Sequence, residues 1–135
     1  MTDQNDWALY LIVRESLNMS PGKMAAQCGH AVEMICDKFR DLYYDAIVDG
    51  DHHNPDKILD PRYCDYIQWA KNNKRKIVLA ASDKEFEKIK SEYKCFVVRD
   101  AGYTELIPGT QTVISLWPQQ LHQRTGTLKH MKLLK

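Results

Sequence analysis

No apolar run in this 135-residue chain approaches the roughly 20 residues that a bilayer span needs. Its polar opening, MTDQND, does not read as a signal sequence. A soluble, cytoplasmic protein is therefore expected. Charge of one sign is lacking as well, since 19 Lys and Arg stand against 18 Asp and Glu, a formal net charge of +1. No global field attracts a polyanion, so any contact with nucleic acid has to come from local patches. Two patches are candidates: Lys71, Lys74, Arg75 and Lys76, and a tail with Arg124, Lys129, His130, Lys132 and Lys135. Each taken alone is equally well read as solubilising charge on a helix end or a chain terminus. No C-x-x-C spacing occurs. Cys28, Cys36, Cys64 and Cys95 fall on apolar faces or strands, which predicts reduced, buried thiols. Cys28 and His30, two apart on a helix, point to different sides, against joint metal ligation. Internal repeats and low-complexity linkers are also missing, and the length suits one domain, residues 1–135, with a core of its own.

What is present concentrates in two stretches. Residues 98–117, VRDAGYTELIPGTQTVISLW, place Asp100, Thr104 and Thr110 in a loop punctuated by Gly102 and Pro108-Gly109, between a short buried strand over 95–98 and a second strand over 110–116. Polar groups where strands end are candidates for chemistry. Residues 19–31, MSPGKMAAQCGHA, open a helix to about Tyr44, with Ser20 as N-cap and Pro21 in the first turn. Met24, Cys28, Ala31, Ile35, Phe39 and Leu42 form its apolar stripe, and Lys23, Gln27 and His30 a polar one. A cation in the first turn opposes the helix dipole, so Lys23 has no reason in folding to be there. That makes it a site candidate.

The remaining order reads strand, long helix, loop, helix, strand, helix, strand, strand and a short terminal segment. Residues 49–60, DGDHHNPDKILD, are rich in loop formers. His52 and His53 with Asp49, Asp51 and Asp56 could bind a metal, although such loops are more often merely solvated. A helix follows from Pro61 to about Asn73, then a strand over 76–81. A capping box, Ser82 with Glu85, begins a third helix whose buried face is Phe86, Ile89 and Tyr93. Helices alternating with apolar strands imply α/β layers around a largely covered sheet.

Together, ALYLIVR, GKMAAQCGHA, KIVLAASD, RDAGYTELIPGT with QTVISLWP, and TGTLKHMKLL resemble, in this order, the type 2 (archaeal and eukaryotic) peptidyl-tRNA hydrolase family. The resemblance implies a three-layer α/β/α fold with a small mixed four-stranded sheet, commonly as a homodimer, and hydrolysis of the ester joining a peptide to the 3′ ribose of tRNA. Lys23, Asp100, Thr104 and Thr110 match positions that the family uses for catalysis, and Gln27 and His30 match supporting ones. Departures occur at Tyr103 and Glu105, where the family commonly has a basic residue and Gln, in a longer 48–62 segment, and at Trp117, where small residues are usual. They bear on substrate preference and rate more than on fold.

The chemistry fits the residue types. Ester hydrolysis needs a positioned water, a path for its proton and donors for the developing oxyanion. Asp100 could orient water or hold a lysine, Lys23 could stabilise negative charge, and the Thr104 and Thr110 hydroxyls could donate or relay protons. The set requires no metal or organic cofactor. Without the resemblance, Asp100 is as readily a turn cap, Thr110 a packed strand residue and His30 a structural histidine. Tyr103 could stack on a terminal base, and Lys74, Arg75 and Lys76 could hold the tRNA backbone. Two other classes stay open: an RNA- or protein-binding homologue without catalysis, and a hydrolase of another acylated substrate.

Overall fold

A computed structural model describes residues 6–48, 60–103 and 105–135. The His52-His53 acidic segment and Thr104 lie outside the described residues. Strand β1 (Trp7–Arg14) is buried along nearly its whole length, as an apolar run covered on both faces must be. Its side chains alternate between two cores. Trp7, Leu9, Leu11 and Val13 meet α1 (Pro21–Tyr43) and α2 (Pro61–Lys71). Ala8, Tyr10 and Ile12 meet α3 (Asp83–Glu92) and the short α4 (Gly126–His130). This gives the expected three layers.

The sheet runs β3-β4-β1-β2-β6, with β2 at Lys76–Ala81, β3 at Cys95–Arg99, β4 at Gln111–Leu116 and β6 at Lys132–Leu133. A two-residue β5, Gln119–Gln120, pairs with the start of β1. The sheet is mixed: β1 and β2 are parallel, while β4 is antiparallel to both β1 and β3. The four long strands are those expected, and β5 and β6 extend the sheet to six. The C-terminal ends of β1, β2 and β3 and the start of β4 therefore share one edge. Loops on that edge carry the candidate site, where open α/β sheets generally bind ligands.

Local sequence accounts for the elements that build this edge. Ser20 caps α1, its hydroxyl accepting from Lys23 N at 3.3 Å, with Pro21 in the first turn. Ala31, Ile35 and Leu42 are buried along the predicted stripe, and Met24, Cys28 and Phe39 pack against them. Phe39 stacks on Tyr66 of α2 at a ring separation of 3.8 Å. Trp69 of α2 is 1% exposed and donates through Nε1 to Arg75 O at 2.7 Å. Trp117 donates likewise to Arg62 O at 2.8 Å, so the bulky residue before the proline fastens α2 to the sheet. The Ser82–Glu85 capping box is formed in both directions.

One expectation needs correction. All four cysteines are free, but none is fully buried: Cys36 and Cys64 are exposed, and Cys28 and Cys95 are half-buried. Cys36 lies off the apolar stripe of α1, its Sγ 3.8 Å from the Tyr66 hydroxyl on α2.

Candidate active site

Asp100 follows β3 at the site edge, and backbone bonds hold it there. Its N–H donates to Thr110 O at 2.8 Å and its carbonyl accepts from Gly109 N at 2.7 Å, which closes the 100–110 loop at its base. Gly102 stands at φ +83°, and a Cβ there would lie 2.3 Å from Pro108 Cγ, so both conformation and space demand glycine. The Gly102 N–H turns back to Asp100 Oδ2 at 2.8 Å. Asp100 does cap its turn, and it does more.

Asp100 Oδ1 forms an ion pair with Lys23 Nζ, in surroundings that leave their side chains 3% and 12% exposed. Gln27 Nε2 approaches the same oxygen at 3.4 Å. The Lys23 hydrogen bond, helped by the Gly102 N–H, holds the Asp100 carboxyl below its ordinary range against the opposing effect of burial. Asp100 is thus a carboxylate at neutral pH, and a carboxylate only accepts hydrogen bonds. The Gln27 amide must therefore turn its NH2 toward Asp100 and its Oε1 away. Thr112 Oγ1 meets that Oε1 at 2.7 Å and has to be the donor.

Gln27 and Thr112 are 4% and 0% exposed. The polar stripe of α1 is consequently not a solvated face: Gln27 is a buried strut. Thr112 was not predicted at all. Simple alternation along β4 assigns Thr112 to the same face as Ile114, toward α3. The register with β3 jumps from Val98↔Val113 to Arg99↔Gln111, so Thr112 is the extra residue of a bulge. The bulge re-aims its hydroxyl toward α1.

A second latch lies at the rim. Glu105 accepts from the Ser20 hydroxyl and, at 3.2 Å, from Ser20 N. These bonds hold the Glu105 carboxyl below its ordinary range. The same Ser20 oxygen caps Lys23 N, so one serine joins the loop, the helix start and the lysine.

The Lys23–Asp100 pair opens on a cavity of about 700 Å³, walled on one side by Lys23, Ala26, Gln27, His30 and Met34 of α1 and on the other by 97–101, Tyr103 and Glu105. His30 reaches the cavity with an exposed ring, 3.6 Å from Glu33. Tyr103 is 91% exposed at the mouth. Thr110 is not among the lining residues: its hydroxyl donates to Ile107 O at 2.7 Å within the loop. Lys74, Arg75 and Lys76 are not brought to the site. Lys76 begins β2 opposite Leu9 of β1, at the far end of the sheet, with Lys74 and Arg75 just before it, and Lys76 Nζ lies over the Trp69 ring. The tail is nearer, with Lys132 opposite Ala80 and Lys135 beside Arg14, Met19 and Met24. Among the described residues, no group of three or more His, Cys, Asp or Glu is arranged to hold a metal, and no helix is long and apolar enough to cross a membrane.

An α/β/α domain with a buried ammonium–carboxylate pair at the carboxyl edge of its sheet has the makings of a hydrolytic site. Comparison with known proteins narrows the class. The family model described as peptidyl-tRNA hydrolase PTH2 matches residues 7–134, and the chain belongs to that family. It is similar to the peptidyl-tRNA hydrolase of Methanocaldococcus jannaschii, 32% identical over 93% of this chain and 98% of that protein. The peptidyl-tRNA hydrolase of Pyrobaculum aerophilum is 35% identical over 94% and 99%. The human mitochondrial peptidyl-tRNA hydrolase 2 is 28% identical over 97% of this chain and 66% of its own length.

Proposed function

We propose that this protein hydrolyses the ester between a peptide, or an N-blocked aminoacyl group, and the 3′ end of tRNA. The observation that carries the reading is the Lys23–Asp100 pair, fixed by Gln27 and Gly102 at the mouth of a cavity, in a chain of this family. Asp100, kept ionised, accepts a hydrogen bond from water and orients its lone pair toward the ester carbon. Lys23 offers its ammonium group to the carbonyl oxygen as that oxygen gains negative charge when water adds. Thr104 is the hydroxyl proposed to pass the proton from the attacking water to the departing 3′-oxygen. Thr110 serves the same step through the loop that it closes. Gln27 holds Asp100 in orientation, while His30 and Tyr103 offer polar and aromatic surface to the acyl group and the terminal base.

The tRNA body requires cations outside the cavity. The tail lysines share the site's edge, and Lys74, Arg75 and Lys76 on the far edge are in reach of so large a substrate. A cytoplasmic setting and a homodimer belong to the same proposal. Glu105 stays charged, and Ser20 fixes its carboxylate at the rim of the cavity. Incubation with N-acetyl-aminoacyl-tRNA, followed by release of the acetylated amino acid, tests the proposal. Steady turnover is expected. Tight tRNA binding with no turnover would transfer the assignment to a binding module.

A further inference from the structure

The cavity has a wall that the catalytic reading leaves unused. Residues 97–101 all line it, although Val97 packs into the core under α3 and Val98 into the core under α1. Successive strand side chains point to opposite faces, so consecutive residues can share a cavity only if it runs along the strand's edge. That edge is open: among the described residues β3 pairs with β4 alone and ends the sheet. Every second residue of β3 therefore turns its N–H and C=O outward, toward the cavity. From Val97 to Asp100 the edge measures about 10 Å, the length of three extended residues. α1 walls the same stretch from Lys23 down to Met34.

Resting on the proposed activity, we propose that the outer edge of β3 holds the peptide part of the substrate as an added strand, main chain to main chain. The ester lies at the Asp100 end and the peptide runs toward Val97. A hydrolase of peptidyl-tRNA meets peptides of any sequence, and main-chain pairing is the recognition mode that reads no side chain. Ala26 and Met34 supply a smooth apolar wall beside the edge, and they select shape little. Lys94 and Arg99 flank the strand with charge, a known guard against edge-to-edge pairing with a second copy.

The probe is a set of adenosines bearing N-acetylated peptides of one to three residues on a 3′-amide, which resist hydrolysis. Affinity for the whole protein is measured by calorimetry. Each main-chain hydrogen bond engaged should tighten binding about five-fold, the scale of its net contribution, with Ala, Ser and Val peptides alike. N-methylation should cost about five-fold at one amide and almost nothing at the next, because strand partners alternate. Amide exchange within β3 should slow on binding. Affinity indifferent to length and N-methylation, or dictated by side chains, overturns the proposal. So does a β3 edge already protected by a second copy before any probe is added. Turnover of N-acetyl-aminoacyl-tRNA is read separately. If it proceeds while the probes bind without alternation, the activity stands and the edge falls. If it is absent while the alternation holds, the edge stands and the activity falls.

Discussion

Replacing Thr112 with valine keeps the shape of a fully buried side chain and deletes one hydroxyl. That hydroxyl donates to Gln27 Oε1 at 2.7 Å, and the polarity of the bond is imposed from Asp100, whose carboxylate demands the Gln27 NH2. Without the donor, Gln27 Oε1 is left buried and unpaired, which costs about 1–3 kcal/mol. In a domain of this length each kcal/mol lowers Tm by about 4 °C, so a drop of about 4–12 °C is expected. The amide also loses its reason to keep one orientation, and its flipped form turns a carbonyl on the Asp100 carboxylate. Asp100 then keeps Lys23 and Gly102 but loses its third donor. Because Gln27 acts through Asp100, kcat should fall about 10-fold, less than the loss on removing a donor that touches the reacting atoms. Thr112→Ser restores the hydroxyl without the methyl. It should regain most of the rate while remaining less stable than wild type. Single-turnover hydrolysis and thermal melts on the three proteins decide the matter. A folded Val variant with full rate, or a Ser variant as slow as Val, would refute the coupling.

Lys23→Ala should cut peptidyl-tRNA hydrolysis by at least about 100-fold in a protein that still folds, and near-normal single-turnover rates would remove Lys23 from the site. Asp100→Asn should be inactive to a similar degree, with a lower Tm, because Lys23, Gln27 and Gly102 all donate toward it and one amide cannot accept on both sides. Asp100 and Glu105 both lose their protons more easily in the folded chain. Their stabilising contribution is therefore complete above the unfolded carboxylate values of about 4 and is lost as pH falls through the lowered folded values. Urea melts across that window should show Glu105→Gln losing less stability on acidification than wild type, and equal losses would detach Glu105 from Ser20. Neutralising Lys132 and Lys135 should flatten the salt dependence of tRNA binding by about 2 in log–log slope, more than the change from Lys74, Arg75 and Lys76 together. A larger effect of the far-edge triple would reverse the placement of the tRNA.

Much of this protein is determined by local sequence. The order of strands and helices follows from apolar runs and caps such as Ser20, Asp60 and Ser82, because caps and periodicity act within a few residues. The loop over 100–110 declared itself by Gly102, Pro108 and Gly109, whose conformational limits are intrinsic, and Lys23 by its conflict with the helix dipole. Pairing across the molecule was another matter. Lys23 and Asp100 are 77 positions apart, and only the packing of α1 over β3 and β4 brings them into contact. Gln27 carries a polar label in any periodic reading, yet it is buried because Asp100, just after β3, and Thr112 of β4 satisfy its amide. Thr112 defeats the period-2 pattern outright, since a bulge turns it to the other face of the sheet. Lys74, Arg75 and Lys76 read in the sequence only as a basic patch that could hold the tRNA backbone, and the parallel register of β2 with β1 sends them to the end of the sheet opposite the site. Local propensity and patterning are written residue by residue, whereas distance between charges, the face of a bulged residue and the open edge of β3 exist only once the sheet has assembled.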